Sequence, residues 1–271
     1  MGHFAMYIIL GLFFSCTSID DEKTSTSVIE EIDELVLENL FTIPERPFDM
    51  SWDYDGSLLI SADASGKLYR WDDVELVEEQ GSYHDIQAVH VINQTLLYTT
   101  TDNGVTGALF SDGQEALSTQ ADDGTLFRWP VDLISLEDGT LLIADYMAGL
   151  IFSYESDGIT QSFHAGSQTP QALAVIDEQI YIGGEDGIWF KEDLFTEAIR
   201  LDERSANGLA VYDGVVYGSN SQDGIFAVQG IASPLPDEIG RPSTLLIKEN
   251  MLYVIDQVGR GIWKSDLSSS L

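Results

Sequence analysis

The chain has 271 residues, of which 44% are hydrophobic and 10% aromatic, so it can bury a substantial core in one large domain or two small ones. Acidic residues outnumber basic residues 46 to 12, which gives a net charge of −34. Because nucleic-acid affinity depends largely on Lys and Arg that displace counterions, this balance argues against nucleic-acid binding.

The first recognisable segment is an apolar run of eleven residues, FAMYIILGLFF, at residues 4–14. It is too short to span a bilayer and has the length of the core of a secretory signal. Ser15 and Cys16 follow directly, and Cys16 is the only cysteine. A small residue and a cysteine after an apolar run resemble a bacterial lipoprotein signal, in which the cysteine is lipidated and becomes the new N-terminus.

This resemblance implies a signal peptide at residues 1–15, a lipid on Cys16, and an exported lipoprotein that faces the periplasm or the cell surface. The alternatives are a plain signal peptide with an incidental cysteine, or a buried hydrophobic start. Residues 16–32 are polar and acidic, which predicts a tether between anchor and domain. A single cysteine allows no internal disulfide, so the fold must depend on its core.

Residues 33–271 repeat one unit six times. The unit begins with an apolar segment, often after a proline, as in PFDMSW and PVDLISL. A tight turn follows, at three places with an Asp-Gly dipeptide that favours positive φ at both central residues: Asp55-Gly56, Asp138-Gly139 and Asp213-Gly214. A second strand and a glycine-containing turn lead to a third strand that opens with an aliphatic–aromatic pair. The aromatic members lie 41, 42, 37, 37 and 37 residues apart, at Tyr69, Phe110, Phe152, Trp189, Phe226 and Trp263.

Short strands rich in β-branched and aromatic residues at this period predict sheets of about four strands each. Six such sheets around an axis make an all-β, six-bladed β-propeller, in which the aromatic of each third strand packs between blades. Candidate outer strands follow the first five repeats. The sixth repeat lacks one, and the segment DELVLENLF (33–41) is predicted to supply it and close the ring. A helix at 29–40 is the alternative.

The unit, with its preceding proline, its Asp-Gly turn and its Gly-Ile-aromatic third strand, resembles NHL-type propellers and the regucalcin/gluconolactonase superfamily over roughly residues 33–267. Metal-dependent lactonases of that superfamily hold a divalent ion in the central channel with a Glu in E-x-P, an Asn in N-G-L/I and an Asp in P-D-G. The resemblance implies Glu45 of ERP and Asn207 of NGLA as metal ligands. The superfamily's substrate-binding motif is approximated by RWPVD, in which Asp132 is the nearest match.

The third metal motif is altered, because the chain reads RPST and Ser243 stands in place of the acid. That acid would be both a hard oxygen ligand and the general base. We therefore expect no cofactor beyond a weakly bound calcium ion. The alternative role of Glu45 and Asn207 is turn chemistry at the start of a strand. The acids scatter along the chain, which is typical of a solvated or salt-adapted surface, with attraction of cations as the other interpretation.

Aligning the repeats places one polar residue at the start of each axial strand: Asp49, Gln87, Asp132, Gln171, Asn207 and Ser243. These residues are predicted to surround the mouth of a central funnel. Carboxylates, amides and a hydroxyl suit a hydrated cation or a polyhydroxylated ligand. His90 lies within an apolar strand, where a core role is expected.

Two functional hypotheses follow. In the first, a monomeric, lipid-tethered propeller is a non-enzymatic platform that binds a protein, a glycan or a small polar ligand through its funnel and top-face loops, and touches the membrane only through its lipid. In the second, it is a divalent-metal-dependent lactonase or esterase of the gluconolactonase type with an altered site.

Overall fold

The computed structural model describes residues 35–269, apart from residues 63–65, 82, 84, 103–104, 113–115, 159, 231, 234 and 237. The expected signal, the tether and Cys16 lie outside the described residues. The described chain forms six antiparallel sheets of four strands. The first strand of each blade contacts the first strands of both neighbouring blades, and blade 6 contacts blade 1. This confirms the six-bladed propeller.

The first strand in the chain, β1 (Glu38–Thr42), belongs to blade 6. Blade 1 contains β2 (Pro47–Trp52), β3 (Leu58–Ala62), β4 (Lys67–Trp71) and β5 (Leu76–Glu78). Blade 2 contains β6 (Ile86–Ile92), β7 (Thr95–Asp102), β8 (Thr106–Ser111) and β9 (Ala116–Ser118). Blade 3 contains β10 (Pro130–Ser135), β11 (Leu141–Asp145), β12 (Leu150–Tyr154) and β13 (Thr160–His164).

Blade 4 contains β14 (Pro170–Ile176), β15 (Gln179–Gly184), β16 (Gly187–Lys191) and β17 (Ile199–Asp202). Blade 5 contains β18 (Gly208–Tyr212), β19 (Val215–Asn220), β20 (Gly224–Ala227) and β21 (Ala232–Ser233). Blade 6 contains β22 (Pro242–Lys248), β23 (Met251–Asp256), β24 (Gly261–Asp266) and the returning β1. A short 3-10 helix, Leu267–Ser269, follows β24. No helix among the described residues is long and apolar enough to cross a membrane.

The aliphatic–aromatic pair of each third strand fills two interfaces. In blade 1, Leu68 packs in the cluster shared with blade 2, and Tyr69 packs in the cluster shared with blade 6. The pairs of the other five blades repeat this arrangement. Because successive side chains of a strand point to opposite faces, one dipeptide can pack against both neighbouring blades. The expected packing of the aromatics between blades is confirmed, and the aliphatic partner has the same role on the other side.

Buried hydroxyl groups also join neighbouring blades. Ser61 and Thr99 lie in second strands, and each donates a 2.8 Å hydrogen bond to a backbone carbonyl of the next blade, at Gln87 and Pro130 respectively. Ser219 does the same at the carbonyl of Ser243. These bonds satisfy polar groups at the edges of the inner strands that would otherwise be buried without a partner.

The N-terminal strand closes the ring as expected. It pairs antiparallel with β24, in a register that places Glu38 opposite Lys264 and Thr42 opposite Gly261. The helix alternative is wrong for the described part of that segment, since residues 38–42 form a strand. The residues ahead of the strand add to the core, because Leu35 and Leu37 are buried in the cluster shared by blades 5 and 6.

The Asp-Gly turns are of two kinds. In blade 5 both Asp213 and Gly214 have positive φ, 48° and 74°, as the dipeptide predicts. In blades 1 and 3 the expectation is wrong for Asp55 and Asp138, because only the glycine that follows each is left-handed, at 89° and 88°. There the aspartate side chain accepts the backbone N–H two residues further on and shapes a longer loop.

Candidate functional site

A cavity of about 420 Å³ lies on the propeller axis, and all six inner strands line it. Most of its wall is apolar, including Val89, Leu173, Leu209 and Leu245. Its polar residues include Asp49, Asp132, Gln171, Asn207 and Thr244. All five lie near the starts of the inner strands. We call this side of the ring the mouth face; it also carries the hairpins between second and third strands, such as residues 146–149 and 257–260.

Asp49 is 3% exposed and joins three blades. Its Oδ2 accepts a 2.8 Å hydrogen bond from the backbone N–H of Val89 in blade 2, and its Oδ1 accepts one of 3.1 Å from the hydroxyl of Thr244 in blade 6. Burial raises the pKa of Asp49 to about 7, against the lowering effect of these hydrogen bonds. The carboxyl is therefore both a cavity wall and a link between blades.

Asp132 makes a similar link between blades 3 and 4. Its Oδ2 accepts a 2.5 Å hydrogen bond from the backbone N–H of Leu173, and its Oδ1 accepts the N–H of Leu133. Burial raises the pKa of Asp132 well above its ordinary value, and the charge of Asp49 raises it further. The two carboxyls thus interact, and the raised pKa values favour the protonated form, which can donate as well as accept hydrogen bonds.

The six expected funnel residues do not occupy equivalent positions. By its pairing in the sheet, Asp132 is equivalent to Ala172 in blade 4 and Gly208 in blade 5. Gln171 and Asn207 therefore lie one residue nearer the mouth. Asp49 and Asp132 lie two residues after the proline that begins their strand, whereas Gln171 and Ser243 lie one residue after theirs, so the expected set combined two register positions.

The other four funnel residues divide into two groups. Gln171 and Asn207 line the cavity, whereas Gln87 and Ser243 are buried and are not part of its wall. Asn207 donates its Nδ2 to the carbonyl of Pro242 at 3.2 Å. The buried Nε2 of Gln171 has no hydrogen-bond partner among the described residues. Gln171 thus lines the cavity and has a buried amide donor that no described residue uses.

Glu45, the other expected metal ligand, lies between β1 and β2 and is not part of the cavity wall. Its Oε1 forms a 3.0 Å ion pair with the Nζ of Lys67, which also pairs with Glu78. The structure therefore does not bring Glu45 and Asn207 together in the cavity. Within the described ranges, no group of three or more His, Cys, Asp or Glu side chains is arranged to hold a metal ion.

His90 also lines the cavity, and its Nε2 lies 3.1 Å from the hydroxyl of Ser135. Burial lowers the pKa of His90 to about 4, so the ring is neutral at physiological pH. It contributes a polar, uncharged group to a mainly apolar wall. This agrees with the core role expected from its strand.

Sequence reasoning missed an aromatic pair on the mouth face. The rings of Trp129 and Tyr146 meet edge to face with centroids 5.6 Å apart. The indole N–H of Trp129 donates a 3.0 Å hydrogen bond to Oε1 of Gln87, and the hydroxyl of Tyr146 donates one to Glu185. The sequence did contain a signal for this pair. Trp129 directly precedes the proline of RWPVD, where the inner strand of blade 3 begins, so its ring had to lie near the axis.

Comparison with solved structures defines the class of protein. The fold is similar to that of a proposed gluconolactonase at 15% identity, with a TM-score of 0.70, over 86% of this chain and 92% of that chain. It is similar to a gluconolactonase from Xanthomonas campestris at 17% identity and a TM-score of 0.69, over 87% and 90% of the two chains. It is also similar to virginiamycin B lyase from Staphylococcus aureus at 10% identity and a TM-score of 0.61, over 82% of each chain.

The chain is thus a six-bladed propeller of the architecture that gluconolactonases and this lyase share. No protein-family profile matches its sequence, and no curated protein sequence matches it. Because the identities are low and the named activities differ, the likeness shows the fold and leaves the function to be argued from the site.

Proposed function

We propose that this protein is a binding platform that holds a glycan, a small polar ligand or a segment of a partner protein at its mouth face without turning it over. The observation that carries the proposal is the axial cavity, with its apolar wall and convergent polar groups. Gln171 supplies a donor that no described residue uses, and the Asp49–Asp132 pair supplies both donors and acceptors.

The second candidate function is that of a metal-dependent lactonase with an altered site. The similarity in fold to gluconolactonases and the place of Asn207 in the cavity wall favour it. Two observations weigh against it: Glu45 is paired with Lys67 away from the cavity, and Ser243 offers a neutral oxygen where that chemistry uses a carboxylate. The binding platform is therefore the better-supported proposal.

We also propose that the protein is exported and tethered through a lipid on Cys16, on the strength of the apolar run at 4–14 and the cysteine that follows it. The direction of β1 indicates on which face of the ring such a tether would attach. Thr42, at the end of the strand, pairs with Gly261 beside a mouth-face hairpin, so the described chain begins at the other end of β1. A tether ahead of Leu35 would leave the mouth free to meet a ligand.

A ligand screen tests the binding proposal. Saccharides, amino acids and short peptides are screened by thermal shift, and each hit is titrated calorimetrically. Gln171→Met removes the unused donor at similar side-chain size and is expected to weaken binding. Gln179→Met, at the start of β15 on the opposite face, is the matched control. Equal affinity of both variants for every hit would contradict binding in the axial cavity.

A further inference from the structure

We propose that the ligand of the mouth face is an acidic saccharide, a sugar or short oligosaccharide that carries a carboxylate. This inference rests on the proposed binding function and adds the chemistry of the ligand. It is carried by two exposed arginines at the mouth that pair with no described carboxylate, by the aromatic pair beside Arg128, and by the hydrogen-bonding groups of the cavity below.

The arginines are notable because of the charge of the chain. With 46 acidic residues against 12 basic ones, an arginine on this surface has acids to pair with at little cost. Lys67, Arg70, Arg204 and Lys264 each form ion pairs. Arg128 and Arg241 are exposed and, like Arg200 and Arg260, form no ion pair with any described carboxylate; what sets them apart is their place at the starts of inner strands. Arg128 and Arg241, which no described carboxylate pairs, lie beside inner strands at the mouth and can bind an anion from outside.

The backbone at both arginines is held rigidly. Arg128 lies two residues before the inner strand of blade 3, and its N–H donates a 2.7 Å hydrogen bond to the buried Asp145. Arg241 lies one residue before the inner strand of blade 6, and its N–H donates one of 3.0 Å to the buried Asp256. Asp145 and Asp256 occupy equivalent positions at the ends of second strands. The fold thus places two arginines at fixed points on opposite sides of the mouth.

The two arginines flank one axial mouth. The inner strands of all six blades line a single cavity of about 420 Å³, and Arg128 and Arg241 lie just before two of these strands, in blades 3 and 6. A guanidinium binds a carboxylate with two parallel hydrogen bonds, which gives a carboxylate an advantage over a neutral hydroxyl. A single sugar acid can therefore contact Arg241 while it lies against blade 3.

The aromatic pair and the cavity account for the saccharide part. Trp129 follows Arg128 directly, and its bond to Gln87 holds the indole beside Tyr146, which gives the apolar face of a sugar ring a surface to pack on. Below it, Gln171 lines the cavity with an amide whose donor no described residue uses, and Asp49 and Asp132 line it with carboxyls whose pKa values burial raises. These groups match hydroxyls, which both donate and accept hydrogen bonds.

The test uses the full chain and matched probes. Oligogalacturonate is titrated calorimetrically against its methyl ester, which keeps the ring and hydroxyls and removes the charge, and citrate serves as an anion without a sugar. We expect the acid to bind about tenfold more tightly than the ester, the gain typical of a charge-assisted hydrogen bond. We also expect added salt to weaken binding of the acid and not of the ester.

Variants then locate the site. Arg128→Gln and Arg241→Gln should each weaken acid binding about tenfold and leave ester binding unchanged. Arg200→Gln, an exposed arginine on the outer strand β17, should have no effect. Trp129→Leu should weaken acid and ester alike, and Trp129→Phe should restore most of the affinity. Thermal melting of each variant identifies any that fails to fold. Ester binding by the arginine variants shows in addition that the rest of the site is intact.

Three results would overturn the proposal. Equal affinity for acid and ester would show that the charge is not recognised, while binding at the mouth would still stand. Citrate that binds as tightly as oligogalacturonate, with no effect of Trp129→Leu, would show a simple anion site. If neither probe binds, the saccharide class is wrong, and the Gln171→Met comparison on hits of the wider screen judges the binding function separately.

Discussion

The hydroxyl of Ser61, in the second strand of blade 1, donates a 2.8 Å hydrogen bond to the backbone carbonyl of Gln87, in the first strand of blade 2. The same oxygen accepts the N–H of Asp49 at 3.0 Å, and the serine is fully buried. One side chain therefore satisfies hydrogen-bonding groups of two inner strands at once. Thr99 and Ser219 repeat the link in blades 2 and 5, so the ring has polar joints as well as apolar interfaces.

Ser61→Ala tests the strength of such a joint. The substitution leaves a buried N–H and a buried carbonyl each short of a partner, which we expect to lower the free energy of unfolding by about 1–3 kcal/mol. Urea unfolding measures the change, with Ser268→Ala on the exposed 3-10 helix as the control. A loss no larger than that of the control would show that the hydroxyl contributes nothing to the joint.

The pKa of Asp49 predicts how stability depends on pH. The folded pKa, about 7, lies above the ordinary value of 3.8, so the folded state binds more protons than the unfolded state between these values. Its contribution to stability is therefore greatest below pH 3.8 and is lost as the pH rises through about 7. His90 has the opposite sign, since its folded pKa of about 4 makes its contribution grow as the pH rises towards 6.5.

Asp49→Asn removes the pH dependence that Asp49 contributes to stability and leaves the contribution of His90. We expect unfolding midpoints of the wild type to fall more steeply between pH 5 and pH 8 than those of the variant. Asp202→Asn is a useful comparison because Arg204, with neighbouring N–H groups, lowers the pKa of Asp202 to about 2, against the effect of burial, so its contribution is lost only in acid. Parallel profiles for the wild type and Asp49→Asn would contradict the raised pKa.

Calcium binding distinguishes the platform from the lactonase. With Glu45 held by Lys67 and Ser243 in place of an acid, we expect calcium affinity no tighter than about millimolar, and no turnover on a panel of lactones. Isothermal titration at physiological salt measures the affinity, with Glu45→Gln as the control. A micromolar site that this substitution abolishes would restore the enzyme hypothesis.

Removal of the closing strand tests ring closure. Deletion of residues 33–41 takes away all of β1 except Thr42 and exposes the edge of β24, so we expect aggregation or loss of cooperative unfolding. Deletion of residues 17–28 removes only part of the expected tether and should change stability little. Identical melting curves for the two deletions would mean that pairing with β24 does not stabilise the ring.

The turn of blade 4 offers a stabilising substitution. Asp177 and Glu178 both have positive φ, 48° and 67°, and neither is glycine. The left-handed conformation is unfavourable for a residue with a Cβ, so Glu178→Gly should raise the free energy of unfolding by about 1 kcal/mol. Glu137→Gly, whose position is not left-handed, should have no such benefit. A lower melting temperature for Glu178→Gly would refute this reasoning.

Much of the fold could be predicted from the sequence because each blade repeats the same turns and the same packing against its neighbours. The Leu68–Tyr69 pair recurs since every third strand faces two neighbours, and the missing sixth outer strand identified β1. The site was less accessible. Asp49 and Asp132 lie two residues after the proline that begins their strand and Gln171 only one, so aligning the repeats by polar residue type combined two register positions. The pairing of Glu45 with Lys67 and the place of Trp129 depend on loops, where no periodicity exists.

The pairing of β1 with β24 also sets the order in which the molecule can be completed. The ribosome makes β1 before any blade exists and makes its partner after all the others. During synthesis the first strand therefore has no edge to join, and the ring stays open until the last blade emerges. Closure joins strands that are far apart in the sequence, and such distant contacts slow folding. A nascent chain built in this way therefore reaches its final shape only after the last blade has been made.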